Sequence, residues 1–513
     1  MTHFTSPLPD VAIRDLTITQ RLFEALETAP DRVVLIDGPT RAEWSGAALM
    51  TAIKELAGGL TARGYGAGHR VALMAPNAPE FAVIFHAVGW AGGTLTTLNP
   101  TYTAAEVRHQ LRDSAAEVLF TIAAFEAVAR EGMVGTDCKE LVLIEDISAW
   151  RAAPLTAQVP VDLDRHVFVL PYSSGTTGLP KGVMLSHRNL VVNVDQALAV
   201  IKILPDETMV AFLPFFHIYG MNVMLNTHLV AGARLVCMPR FDLAAFLGFV
   251  QEHRVRMVMA VPPVANALAK HPLVDEYDIS SLEVFVSAAA PLGAELSNAC
   301  GARIGAMAMQ GYGMTELSPI SHFSNEENAV AGGVGFTVPN TLCKIIDPEG
   351  RALGVDAEGE LCIKGPQVMM GYLNNPESTA QTIDAEGWLH TGDIACFDAA
   401  GQLFIRDRLK ELIKVKGFQV APAEVEAVLQ GFDGVLDAAV IGVLDDDAGE
   451  VPMAFVVLAA GVEVAAVAAY LAVELSSYKQ PKHIEVIDVI PKSASGKILR
   501  RVLKDRVKNG GSL

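Results

Sequence analysis

Tyr172-Ser-Ser-Gly-Thr-Thr-Gly-Leu-Pro-Lys-Gly182 is the stretch on which the reading of this chain turns. It follows an apolar run, Val167-Phe-Val-Leu170, with the length and β-branched texture of a buried strand. Gly175 and Gly178 allow backbone conformations barred to other residues and a close approach to a ligand. Ser173, Ser174, Thr176 and Thr177 supply hydroxyl donors, and Lys181 supplies a cation. N–H groups, hydroxyls and an ammonium packed so densely suit a polyphosphate. The spacing is not that of a Walker A loop, because Gly182 rather than Ser or Thr follows Lys181. The competing reading is a polar surface hairpin, and so dense a run of Ser, Thr and Gly ending in Lys straight after a buried strand favours the phosphate loop.

The flanks say what kind of sheet that strand joins. From about residue 69 to 320, short β-rich runs alternate with helical patterns. Val71–Met74, Val118–Thr121, Leu141–Ile144, Val210–Leu213, Leu235–Met238, Met257–Ala260 and Val284–Ser287 are such runs. Amphipathic stretches such as Leu243–Arg254 and Leu292–Ala302 lie between them. Continuous apolar strands alternating with helices predict largely parallel sheets covered by helices, an α/β architecture. From about 333 to 408 the strands become short and are broken by Asp347-Pro-Glu-Gly350 and Asp398-Ala-Ala-Gly401, which predicts a hairpin-built, β-rich subdomain. A Lys-rich segment and a compact α+β pattern follow. The expected division is a large domain, 1–407, and a small one, 408–513, joined by a short hinge near Lys410.

Composition narrows the function classes. The chain has 513 residues, 51% apolar and 19% charged, which excludes a disordered chain and a disulfide-stapled mini-protein. Lys and Arg number 39 against 58 Asp and Glu, a net charge of −19. That balance argues against nucleic acid or an anionic membrane as partner, so anions must be bound by local arrangements. Six cysteines without a CxxC pair read as reduced thiols of a cytoplasmic protein. The opening residues show no secretory pattern. Met453–Leu475 is apolar, but Gly461, Glu463 and Glu474 make it a strand plus a helix rather than a membrane span.

Further motifs follow in order: Phe215-Phe-His-Ile-Tyr-Gly220, Gln310-Gly-Tyr-Gly-Met-Thr-Glu316, Thr391-Gly-Asp393, Asp407–Gln419 and Pro491–Ile498. Together with Tyr172–Gly182 they resemble the adenylate-forming superfamily of acyl-CoA synthetases, luciferases and peptide-synthetase adenylation domains. Gly417-Phe-Gln-Val-Ala-Pro-Ala-Glu-Val and Leu98-Asn-Pro-Thr-Tyr-Thr are most similar to the 4-coumarate–CoA ligases. The resemblance covers nearly the whole chain. It implies a large N-terminal domain, a small mobile C-terminal domain, and an acid–thiol ligase using ATP, Mg²⁺ and CoA. A carboxylate would attack the α-phosphate of ATP, and a thiol would then displace AMP.

The same resemblance assigns roles. The loop Ser173–Lys181 and Gln310, Gly311, Tyr312 and Thr315 would meet ATP or AMP. Glu316 would hold Mg²⁺, since a carboxylate beside phosphates needs a cation. Asp393 and Arg408 would contact the ribose or phosphate. Lys497 would bridge the substrate carboxylate and the α-phosphate, and His217 would orient that carboxylate. Lys414 and Gln419 would serve the thioester step after rotation about Lys410. Arg240, Lys416 and Gly417 would contact CoA. Tyr219, Val223, Ala288, Ala289, Ala290, Gly311, Gly313 and Ile320 would line an acid pocket of small or apolar residues. Ile320-Ser321 stands where plant hydroxycinnamate ligases pair Val and Leu, so the acid is read as aromatic, hydroxycinnamic or medium-chain aliphatic. Competing readings are an enzyme loading a carrier-protein thiol, a luciferase-type oxygenase and a non-catalytic nucleotide-binding module. The last would be expected to lose Lys497, Glu316 or the loop, and all are present.

Overall fold

The computed structural model describes residues 3–173, 180–409, 411–415, 418–445, 448–493 and 496–508, with the backbone alone for Phe418 and Gln419. The strand Val167–Ser173 lies in a seven-stranded sheet. On one side it continues through parallel Thr94–Thr97, Arg70–Met74, Val118–Thr121 and Glu140–Leu143. On the other, Lys181–Ser186 pairs antiparallel with it, setting Ser173 opposite Lys181 and Tyr172 opposite Gly182. The Gly-rich segment therefore joins two antiparallel strands rather than a strand and a helix. The helix His187–Val200 begins only after the second strand, capped by Ser186 with Asn189 in reciprocal hydrogen bonds.

A second sheet carries parallel Met257–Ala260, Val284–Ser287 and Met307–Gly313, then antiparallel Ile320–Phe323 and Phe336–Thr337. Strands such as Val118–Thr121 and Val284–Ser287 are buried along their length, which is why they read as continuous apolar runs. The helix His187–Val200 packs against Ile320–Phe323, and its polar side chains tie segments together. Asn193 donates to the Ile320 carbonyl, Gln196 to that of Pro339, and Asn189 to those of Pro366 and Val368. A four-stranded sheet built on Thr208–Ala211, Arg234–Cys237 and Val33–Asp37 completes the helix-covered part.

The change of texture after residue 333 is a change of architecture. Leu342–Ile346, Gly359–Lys364, Leu389–Phe397 and Leu403–Arg408 run antiparallel. Asp347 and Asp398 each close their turns by accepting from backbone N–H groups two and four residues on. The C-terminal part has its own core, with Val425, Leu429, Val440, Val456, Val467 and Leu471 buried between helices and a five-stranded sheet. These separate cores support the division we propose, 1–407 and 408–513, although Arg408 still pairs with Asp393 in the larger part's sheet.

Met453–Leu475 divides as its charges predict, into the strand Gly449–Leu458 and the helix Val464–Glu474. The last helix starts at Arg500, just after Ile498, which is held extended in a bridge to Lys492. Among the described residues no helix is long and apolar enough to cross a membrane. All six cysteines are buried free thiols.

Candidate active site

An apolar pocket opens where the second sheet's parallel strands end at their carboxyl edge, the usual ligand position of open α/β sheets. Ala288 and Ala289 follow Val284–Ser287, and Gly311, Tyr312 and Gly313 close Met307–Gly313. His217, Ile218, Tyr219 and Val223 come from the start of a π-helix, Tyr219–Thr227, and the turn before it. Met314, Thr315, Pro319, Ile320 and Phe323 complete the wall, and Lys497 reaches it from the small domain. Glycine is required at Gly313, where a Cβ would sit 2.1 Å from the Pro319 carbonyl oxygen. Tyr219 is buried, and its hydroxyl has no hydrogen-bond partner among the described residues.

The polar side of the cleft adjoins this pocket. Asp393 accepts from the Tyr312 hydroxyl at 2.5 Å and from Arg408 Nε at 3.1 Å. Cross-strand pairing of Asp393 with Arg408 sets that geometry. Buried Glu316 accepts from the Tyr372 hydroxyl at 2.8 Å. Lys181 lies over the Tyr372 ring at 4.9 Å and donates to Ser378 Oγ. Lys497 feels all of this. Burial and the neighbouring Arg408 lower its pKa, against the pull of Glu316, Asp393 and Glu411. His217 is pushed down to about 3, first by burial and then by Lys497, so its ring is neutral at physiological pH. A neutral ring beside a cation can orient a carboxylate by hydrogen bonding without competing for its charge.

The residues singled out in the sequence separate into groups. Tyr219, Val223, Ala288, Ala289, Gly311, Gly313, Ile320, Thr315, Tyr312, His217 and Lys497 meet in one cleft wall. Asp393, Arg408 and Glu316 lie within electrostatic reach of Lys497. Ala290 is not part of the wall. Gln310 turns its amide to the Leu292 backbone, accepting from its N–H and donating to its carbonyl, so it braces a loop. Arg240 is exposed, as is Lys414, which lies on the strand Ile413–Val415. Ser174, Gly175, Thr176, Thr177, Lys410, Lys416, Gly417 and the Gln419 side chain lie outside the described residues.

Sequence reasoning passed over Tyr372, which joins Lys181 to Glu316 across residues far apart in the chain. It also passed over Met314, Pro319 and Phe323, which flank noted motif residues and reach the pocket because the strand Ile320–Phe323 folds back on Met307–Gly313. Glu360, Cys362 and His390 form a further cluster. There His390 lies between Glu360 and Asp384, and Glu360 also accepts from the Gly392 N–H. That cluster braces the turn leading to Asp393.

Comparison with known proteins shows the family. Residues 22–373 match the family of AMP-binding enzymes and residues 424–497 the AMP-binding enzyme C-terminal domain. The chain belongs to the AMP-binding enzyme family. Among curated relatives, 4-coumarate–CoA ligase 5 of Oryza sativa subsp. japonica is 41% identical over 528 residues, covering 99% of this chain and 98% of that one. Among solved structures, ATP-bound MatB from Rhodopseudomonas palustris is 28% identical with a TM-score of 0.87, covering 97% of this chain and 100% of that one. Apo MatB, also 28% identical with coverages of 97% and 99%, superposes with a TM-score of only 0.75. The arrangement described here is thus closer to the ATP-bound form of that enzyme than to its apo form.

Proposed function

We propose that this AMP-forming acid–thiol ligase activates an aromatic acid of the cinnamate type with ATP and transfers the acyl group to CoA. One observation carries the reading: Lys497 stands at the junction between the apolar pocket and the polar wall of Asp393, Arg408 and Glu316. A ring entering the pocket leaves its carboxylate at that junction, beside Lys497 and His217. In the first half-reaction a carboxylate oxygen attacks the α-phosphorus, the bond to the bridging oxygen breaks, and pyrophosphate leaves. Two anions must approach, so Lys497 lowers the barrier by neutralising both and holding them in line. Asp393 is suited to accept from the ribose hydroxyls, its orientation set by Tyr312 and Arg408. Glu316 would hold Mg²⁺ together with phosphate oxygens, a carboxylate-plus-phosphate donor set that this ion favours. When bound, the ion supplies further charge neutralisation. In the second half-reaction the CoA thiolate attacks the acyl carbon and AMP departs. Lys414 and Gln419 are assigned to that step, with Lys410 as hinge and Arg240, Lys416 and Gly417 along the CoA path.

Three features support a ring-bearing acid. The 41% identical relative is named for 4-coumarate. The wall at Ala288, Ala289, Gly311 and Gly313 is built of small residues without charge. Tyr219 lines the wall, and its hydroxyl, without a hydrogen-bond partner among the described residues, would turn to meet a phenol. Ser321 does not line the pocket and bonds to Tyr312 O and His322, so the Ile320-Ser321 pair alters the wall only at Ile320. The buried free thiols support a cytoplasmic location.

The test is pyrophosphate release with ATP and Mg²⁺ across acetate, medium-chain acids, benzoates and hydroxycinnamates, with and without CoA. The expected result is release with hydroxycinnamates, yielding AMP and the CoA thioester. A preference for aliphatic acids overturns the aromatic assignment. Pyrophosphate without CoA consumption favours a carrier-protein thiol as acceptor.

A further inference from the structure

The small domain rests on the large one along the helices Ala294–Ile304 and Pro262–Lys270, and the second of these also donates side-chain hydrogen bonds to it. At its C-terminal end, Lys270 Nζ donates to the Val435 carbonyl at 3.1 Å and Asn266 Nδ2 to the Leu436 carbonyl at 2.9 Å. These donors are four residues apart, on one face of the helix, and both acceptors belong to the strand Val435–Asp445 of the small domain. The next residue of that strand, Asp437, takes Lys492 Nζ at 2.7 and 2.8 Å. Lys492 opens the segment that ends at Lys497, and the bridge from Lys492 to Ile498 draws its two ends together. At the other end of the same helix, Gly496 packs against Val261 and Pro263 so closely that a Cβ there would lie 3.1 Å from Val261 Cβ. One helix therefore touches both the residue before Lys497 and the strand to which the Lys497 segment is ion-paired.

We propose that Asn266 and Lys270 are positioning residues for acyl-adenylate formation: they dock the small domain so that Lys497 reaches the acid carboxylate. The proposal rests on the ligase reading above. Both donors bind main-chain carbonyls, so the dock depends on where the strand lies and not on its side chains. The Lys270 bond is charge-assisted. Burial lowers the pKa of its ammonium, while Asp433 and Asp437 favour the charged form. Two hydrogen bonds that water can replace make a dock firm enough to select one orientation and weak enough to release. Neither residue touches the reacting atoms, so their loss should spare any step the small domain performs from another orientation.

The experiment uses the full chain with Asn266→Ala and Lys270→Met combined, Lys270→Arg alone, and wild type. Acid-dependent pyrophosphate formation and thioester formation from supplied acyl-AMP plus CoA are measured separately. Loss of two net hydrogen bonds predicts adenylation lower by about 10-fold in the double variant, with thioester formation within about twofold of wild type. Lys270→Arg should retain most of the adenylation rate. Unchanged adenylation, or equal loss of both halves, overturns the dock. Hydrogen exchange of the amides between Lys492 and Lys497 gives a readout that needs no substrate. It should quicken several-fold in the double variant, and unchanged exchange also overturns the proposal. Wild type that adenylates no acid would sink the ligase reading, while the exchange measurement still judges the dock.

Discussion

Lys497 and Lys414 ride on the same small domain and meet opposite surroundings. Lys497 lines the pocket, close enough to Arg408, Glu316 and Asp393 for their charges to move its pKa. Lys414 stands exposed on the strand Ile413–Val415. Both belong to a body with its own packed core, and such cores do not deform to bring a distant face inward. In the proposed scheme the domain delivers one of these lysines at a time. The arrangement described here thus fits the first half-reaction, and a turn about the segment after Arg408 is what the second would need.

That contrast can be broken by experiment. The largest effect is expected from Lys497→Ala, which should lower acid-dependent pyrophosphate formation by about 1,000-fold, or ~4 kcal/mol of transition-state stabilisation. The same variant should still convert supplied acyl-AMP and CoA to thioester. Lys414→Ala should do the reverse more mildly, lowering thioester formation by about 10- to 100-fold, the scale of one charge-assisted contact, with adenylation intact. Loss of the same half by both variants would erase the distinction between the two faces.

A pH profile sharpens it. In the role proposed for it Lys497 must carry its proton to bridge two anions, and burial together with Arg408 lowers its pKa. The kcat/KM for adenylation should therefore fall on the alkaline side below the pH at which an ordinary lysine titrates. Lys497→Arg should move that limb to higher pH. The smallest effect lies on the pocket side. Tyr219→Phe should cost about 3- to 10-fold in kcat/KM for para-hydroxylated acids, one hydrogen bond's worth, and nothing for the unsubstituted acids. Equal loss on both acids would remove Tyr219 from specificity.

What was legible in the sequence follows the same division. Strands buried on both faces announce themselves, so Val118–Thr121, Met257–Ala260 and Val284–Ser287 fall where their apolar runs lie. Local turn chemistry did as much for Asp347–Gly350 and Asp398–Gly401. The pocket wall was readable where motif residues are neighbours in the chain, as at Gly311–Gly313. Contacts between remote segments left no local trace. Tyr372 on Glu316, Gln310 on Leu292, and Asn266 and Lys270 on residues 435 and 436 join positions 18 to 170 residues apart. The start of the last helix at Arg500 has the same origin, since a bridge from Lys492 to Ile498 keeps the preceding residues extended.

The most direct test of the two-faced domain is hydrogen exchange on the intact enzyme in three states: alone, with a non-hydrolysable acyl-adenylate analogue, and with that analogue plus CoA. The account predicts that adding CoA makes the amides of Lys492–Lys497 exchange faster while those of Ile413–Val415 become protected. Protection of both segments together, or no change in either, would contradict it.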